Sequence, residues 1–172
     1  MSSRIFRLCA LLCLAFLVGC GGNDAHDHDH DHEHEHADHD HDHAHGHAPT
    51  APHGGALAVL GEEFAHLEWV GAPESEDFTV YVLDGHAVGG VPIPDTELRF
   101  SIAAGGETFE VTATARANAL SGEKVGNTSE FGGSSPKLAG LERFEVTLER
   151  ITVRGVEFRT VSFSVPEGSP GH

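Results

Sequence analysis

Apolar and polar residues alternate along most of the chain after residue 55, and this pattern predicts β-strands. In residues 97–104, for example, Leu98, Phe100 and Ile102 fall on one face, with polar or small residues between them. Period-two alternation is typical of a strand that is buried on one face. The same pattern predicts about seven strands, over residues 56–60, 63–70, 78–83, 97–104, 107–115, 143–153 and 156–165.

Turn signals such as Asp84-Gly85, Gly105-Gly106 and Arg154-Gly155 separate these strands. No amphipathic helix is evident in this region. Short strands at nearly regular spacing favour a single antiparallel β-sandwich, so we expect an all-β domain over residues 53–166 and a disordered tail over residues 167–172.

Two regions depart from the alternation. The apolar phase shifts within residues 143–153 and again near Thr160, and the second shift indicates a register slip at a β-bulge. Residues 118–141 are rich in Gly and Ser, and we expect a long loop that docks Phe131 into the core.

The beginning of the chain has a different pattern, with an uninterrupted apolar run over residues 8–18 behind Arg4 and Arg7. The run is shorter than the roughly 20 residues that span a bilayer, and it has the size of a signal-peptide core. It ends in Leu17-Val18-Gly19-Cys20, which resembles the lipobox of bacterial lipoproteins. The resemblance implies that residues 1–19 are a signal peptide and that Cys20 becomes lipidated. It favours an outer-membrane anchor, with the protein facing the periplasm or the cell surface.

Histidine alternates with acidic residues over residues 24–47, here called the His tract, which contains eleven His, seven Asp and two Glu. Its histidines are His26, His28, His30, His32, His34, His36, His39, His41, His43, His45 and His47. Because nothing larger than Ala is available for apolar burial, we expect residues 20–52 to be a disordered tether that ends in a Pro-rich linker.

Imidazole and carboxylate groups are ligands for Zn, Cu and Ni, and the His tract holds enough imidazoles for roughly three to five ions. Protons compete for the same nitrogens, so metal affinity should fall below about pH 6.5. The tract resembles the His-rich loops and tails of bacterial zinc and nickel uptake proteins, transporters and metallochaperones. The alternative interpretation is a charged tether.

The net charge and the absence of catalytic motifs argue against two other classes of function, nucleic-acid binding and catalysis. With 10 basic and 27 acidic residues, the formal net charge is −17, which argues against nucleic-acid binding. The sequence contains no nucleophile elbow, no HExxH pair and no Walker-type loop, and we therefore expect a protein that is not an enzyme.

Four residues of the predicted domain are candidate metal ligands. His66 and Glu68 are two positions apart, so their side chains should share one face of a partly buried strand. His53 precedes two glycines and His86 follows a turn. Together the four could form a composite His3Glu or His2Glu site; alternatively, they are unrelated polar residues.

Several short runs of the domain also resemble a known group of proteins. These runs are Pro-His-Gly-Gly at residues 52–55, His66-x-Glu68, residues 80–86 and Val91-Pro92-Ile93. They are similar to small bacterial envelope domains that occur in lipoproteins and near periplasmic adaptor subunits of heavy-metal efflux systems. The resemblance implies a periplasmic, metal-associated module.

These observations predict a lipid-anchored envelope protein that binds Zn, Cu or Ni for buffering, delivery or resistance. A metal transporter or an efflux component is the expected partner. The alternative is a non-catalytic envelope interaction module whose His tract is only a charged tether.

Overall fold

The computed structural model describes residues 49–169, which form eight β-strands. The predicted signal peptide, Cys20, the His tract and the last three residues lie outside the described part of the chain. Residues 49–169 contain no helix that is long and apolar enough to cross a membrane. The strands are β1 (Ala56–Leu60), β2 (Ala65–Gly71), β3 (Asp77–Asp84), β4 (Glu97–Ala104), β5 (Glu107–Ala115), β6 (Glu130–Ser134), β7 (Phe144–Val153) and β8 (Val156–Val165).

All eight strands belong to one antiparallel sheet, in the order β1-β2-β3-β6-β5-β4-β7-β8. The all-β class and the antiparallel pairing are confirmed. The strands form one nearly closed, barrel-like sheet rather than the two separate sheets of the expected sandwich. The reason is β6, which pairs with β3 on one side and with β5 on the other and so joins the two halves.

Strand β6 lies inside the segment for which the sequence predicts a long loop. Its Gly132 and Gly133 have low strand propensity. A side chain at Gly133 would overlap the Phe78 ring and the Thr112 carbonyl, so glycine is needed where neighbouring strands crowd this position. The prediction that Phe131 docks into the core is confirmed, because its side chain is fully buried.

The segment after β8 brings the two ends of the sheet together. Gly168 and Ser164 exchange backbone hydrogen bonds, so the chain turns back at once. The Ser169 backbone N–H then donates to the Leu57 carbonyl at 2.8 Å, and the Val59 N–H donates to Ser169 Oγ at 3.2 Å. Residues 167–169, which belong to the predicted tail, therefore join β8 to β1.

The apolar phase shifts in β7 and β8 at the same level of the sheet. Leu148 pairs with Val161 and Arg150 pairs with Arg159, so the register is the same on both sides of the irregularity. Thr160, between these pairs, has a positive φ of 54°. The predicted phase shift is confirmed, but the predicted register slip is wrong, because both strands shift together and neither gains a residue.

Candidate functional site

Strand β2 is buried on both of its faces. Ala65, Leu67 and Trp69 point into the hydrophobic core, and His66 and Glu68 alternate with them on the outer face of the sheet. The predicted shared face of His66 and Glu68 is confirmed. Both are fully buried rather than partly buried, which requires other segments of the chain to cover this outer face.

The Glu68 carboxylate holds one covering segment, residues 52–55. Its Oε1 accepts hydrogen bonds from the backbone N–H groups of His53 at 2.8 Å and of Gly55 at 2.9 Å. Its Oε2 lies 2.7 Å from Nδ1 of the His53 ring. A buried carboxylate needs donors of this kind, and these three contacts supply them.

Two glycines allow this segment to lie against β2. Gly54 has a φ of +74°, which is a left-handed conformation that glycine adopts without steric cost. A Cβ at Gly55 would overlap the backbone carbonyl of Trp69. The Pro-His-Gly-Gly motif thus has a local physical explanation: the first glycine turns the chain, and the second lets it approach the strand closely.

The His53 ring lies between Glu68 and solvent, stacked on Tyr81. The ring centroids are 3.8 Å apart with an interplanar angle of 13°. Tyr81 is the cross-strand neighbour of Glu68 on β3. Burial, reinforced by the Glu130 and Glu68 carboxylates, raises the pKa of Tyr81 above its ordinary value of 10.0, so the phenol is neutral near pH 7. Its register with Glu68 places Tyr81 at the site, and no local sequence pattern around Tyr81 indicates this position.

His66 faces a different set of atoms. Its Nδ1 lies 3.1 Å from the backbone carbonyl of Asp84, to which a protonated ring nitrogen donates. The other ring nitrogen, Nε2, is buried and has no hydrogen-bond partner among residues 49–169. His66 is therefore packed beneath the turn that follows β3, and it is only half satisfied.

His86 lies in that turn, and its side chain is exposed. The Asp84 carboxylate organises the turn by accepting the backbone N–H groups of His86, Val88 and Gly89 at 3.1–3.2 Å. These hydrogen bonds, above all the one from Val88, lower the pKa of Asp84 below its ordinary value of 3.8. His86 thus contributes a backbone group to the turn.

Of the four candidate ligands, the structure brings His53 and Glu68 into direct contact, whereas His66 and His86 make separate contacts near Asp84. Within residues 49–169, no three His, Cys, Asp or Glu side chains are grouped closely enough to hold a metal ion together. A metal-binding role for these four residues stays a prediction.

The His53–Glu68 pair has a defined chemistry. A carboxylate accepts hydrogen bonds, so the Nδ1 atom of His53 is the donor, and in the neutral tautomer the lone pair is therefore on Nε2. The His53 side chain is 42% exposed, and no residue from 49 to 169 hydrogen-bonds to its Nε2. The arrangement therefore presents one oriented imidazole lone pair at the surface.

Comparisons with models of protein families, with curated proteins and with solved structures find no match to this chain.

Proposed function

We propose that this chain is a lipid-anchored envelope protein that binds divalent transition-metal ions through its His tract. The observation that carries the proposal is the alternation of eleven histidines with nine acidic residues over residues 24–47. Such a segment supplies a high local concentration of imidazole and carboxylate ligands, and it favours Zn, Cu and Ni over hard cations.

The charge of the folded domain supports the same function. Residues 53–172 contain eighteen acidic and eight basic residues, so the domain attracts cations rather than repelling them. Membrane attachment through Cys20 would hold the ligands at one surface, where capture, buffering and transfer to a metal transporter or an efflux component are coupled by proximity.

Metal capacity tests this proposal. The full chain, in detergent, is dialysed against Zn²⁺ and bound metal is counted, in parallel with a variant that lacks residues 24–47. We expect roughly three to five ions on the full chain and at most about one on the deletion variant. A second variant, with the eleven tract histidines replaced by Asn, keeps the length and the acidic residues of the tract and should also lose the capacity.

Equal metal capacity in all three proteins would overturn the proposal. The alternative from the sequence, an envelope interaction module with a charged tether, would then take its place. The metal-free proteins should unfold at nearly the same temperature, because the tract has no apolar side chains to bury.

A further inference from the structure

We propose that one end of the sheet is a contact surface for a zwitterionic lipid bilayer. The surface consists of residues 85–94, between β3 and β4, and residues 117–129, between β5 and β6, which are together called the apolar tip. Its exposed aliphatic side chains enter the boundary between the lipid headgroups and the acyl chains. This contact is a property of the folded domain and goes beyond metal binding.

The exposed apolar side chains of the domain are gathered at one end of the sheet. Within residues 49–169, the large apolar residues with exposed side chains are Phe64, Val88, Leu120, Val125 and Val156. They lie on or beside the β1–β2, β3–β4, β5–β6 and β7–β8 connections, and the antiparallel register places these four connections at the same end. Exposed apolar residues that are scattered singly need no explanation, whereas a cluster marks an interaction surface.

Two short turns present the apolar side chains of the β5–β6 connection. Asn118 and Glu123 exchange backbone hydrogen bonds of 3.1 and 3.0 Å, which close a turn around Leu120. A second turn, over residues 124–127, is closed in the same way around Val125. Leu120 is fully exposed and Val125 is 60% exposed, so neither side chain stabilises the domain by burial. A fluid bilayer adapts to single projecting side chains, whereas a protein partner must supply a matching pocket for each.

Val88 extends the apolar surface onto the β3–β4 connection. A Cβ at Gly90 would lie 2.6 Å from Ser129 Oγ, so the β3–β4 and β5–β6 connections are in close contact. Val88 lies two residues before Gly90, and its side chain is 79% exposed. The Asp84 carboxylate fixes its backbone by accepting the Val88 N–H at 3.1 Å. The fold therefore holds a third aliphatic side chain outward at the same end.

The apolar tip has few acidic groups, although the domain as a whole is acidic. Residues 85–94 contain no Asp or Glu, and Glu123 is the only acidic residue over 117–129. Its carboxylate is partly buried, and it accepts the Ser129 backbone N–H at 3.1 Å and the Ser129 hydroxyl at 2.9 Å. The tip therefore presents little negative charge to the phosphates of a lipid surface.

Two cationic side chains adjoin the exposed apolar ones. Lys124 precedes Val125, and Arg154, in the turn between β7 and β8, lies two residues before Val156. Neither cation forms an ion pair within residues 49–169. Apolar side chains flanked by Lys and Arg are typical of interfacial membrane binding, because the cations reach the headgroup phosphates while the apolar groups are buried.

The remaining charges determine the kind of lipid and the centre of the contact. With eighteen acidic and eight basic residues over 53–172, the domain is repelled by an anionic bilayer, so we infer a zwitterionic one. Glu62 and Glu63, which precede Phe64 at the same end, are exposed and favour water. The contact therefore centres on the apolar tip and not on the β1–β2 connection.

Nitroxide lipids give a local test that a membrane anchor elsewhere in the chain does not affect. The full chain is combined with nanodiscs of phosphatidylcholine and phosphatidylethanolamine, in which some lipids carry a nitroxide on the acyl chain. Methyl resonances are recorded before and after the nitroxide is reduced. We expect those of Val88, Leu120 and Val125 to lose most of their intensity to the active nitroxide. Those of Ala104 and Leu141, at the opposite end of the sheet, should keep theirs.

Variants separate the apolar and the cationic contributions. Replacing both Leu120 and Val125 by Ser should reduce the nitroxide effect at Val88 by at least about tenfold, because two aliphatic side chains no longer enter the lipid. Lys124→Gln should reduce it by about twofold. Lys137→Gln, at the opposite end, is the matched control and should have no effect. All these side chains are exposed, and the fluorescence of Trp69 reports whether each variant is folded.

Two results would overturn the inference. If the methyl resonances of Val88, Leu120 and Val125 keep their intensity, or if both ends of the sheet lose intensity equally, the tip does not enter lipid, and a protein partner becomes the expected occupant. If the resonances stay broad after the nitroxide is reduced, copies of the chain associate through the tip instead. Neither result affects the proposed metal binding, which metal capacity tests separately.

Discussion

Strands β2 and β5 have similar alternating sequences but different surroundings. In β5, Val111 and Ala113 are buried, whereas Glu110 and Thr112, which alternate with them, are exposed. In β2, all residues from Ala65 to Trp69 are buried, including the two polar ones. The inner faces of the two strands are equivalent, and the difference lies entirely on the outer face.

This difference shows that alternation indicates which residues share a face of the sheet, but not whether other segments cover the outer face. A polar residue on the outer face of a sheet normally faces water, where its hydrogen bonds and charge need no protein partner. Over β2 the outer face is covered by residues 52–55 and by the turn after β3. The polar residues there need specific partners, and Glu68 has them in full whereas His66 has only one.

Replacement by leucine should therefore destabilise the fold much more at Glu68 than at His66. Glu68→Leu leaves the backbone N–H groups of His53 and Gly55 without their acceptor and releases the covering segment. We expect a loss of about 3 kcal/mol in the free energy of unfolding, or roughly 10 °C in Tm. Urea unfolding followed by the fluorescence of Trp69, the only tryptophan, measures it.

His66→Leu is the matched control, two residues away on the same face. It removes a buried nitrogen that has no partner, and the Asp84 carbonyl keeps its hydrogen bond from the Ala87 N–H at 3.0 Å. We expect a change within about 1 kcal/mol, in either direction. Similar losses in both variants would contradict the distinction between a satisfied and a half-satisfied outer face.

Residues 52–55 lie close to β2, so alanine substitutions at the two adjacent glycines should also destabilise the fold, but less than Glu68→Leu does. Gly55→Ala places a Cβ against the Trp69 carbonyl, and the segment must move away, at a cost of about 2 kcal/mol. Gly54→Ala meets no atom within 4 Å and has only the cost of its positive φ, about 1 kcal/mol.

Thermal unfolding measures this difference: Gly55→Ala should have a lower Tm than Gly54→Ala. An equal or reversed order would mean that the segment does not lie tightly on β2. Because the Glu68 hydrogen bonds depend on that contact, Gly55→Ala should also reduce the protection of the His53 amide from hydrogen exchange more than Gly54→Ala does.

The strands were largely predictable, because burial on one face leaves a period-two pattern. Strands β1, β4, β5 and β8 have the predicted bounds. Strand β6 was missed because Gly132 and Gly133 have low strand propensity, and the crowding by Phe78 of β3 and Thr112 of β5 that requires glycine at position 133 exists only once the sheet has formed. The same strand decides between a sandwich and one continuous sheet, so this feature of the architecture was not predictable from alternation.

The candidate site was predictable only in part. The shared face of His66 and Glu68 follows from their spacing, but the cover over that face does not. His53 reaches Glu68 across fifteen residues of sequence, and Tyr81 reaches it from the next strand. Local spacing carries no information on such contacts, and it therefore grouped four residues of which only two touch.

The smallest effect concerns the turn that covers His66. Asp84 accepts three backbone N–H groups there, with the Val88 N–H contributing most to the lowering of its pKa below 3.8. A carboxylate whose pKa is lower in the folded state stabilises that state above its unfolded pKa, and it loses the contribution as pH falls through the folded value. The turn should therefore loosen only below about pH 4.

Asp84→Asn removes this titration, because a neutral amide accepts fewer hydrogen bonds at every pH. We expect faster hydrogen exchange at the Val88 and Gly89 amides of the variant at pH 5, and a smaller further increase on acidification than in the wild type, after correction for intrinsic exchange. Asp77→Asn, at the exposed beginning of the same strand, is the control and should match the wild type. If the wild-type turn is equally protected at pH 5 and pH 2.5, the Asp84 carboxylate does not hold it. The cover over His66 would then depend on packing of Leu83 and Ala87, which are both buried outside the central core.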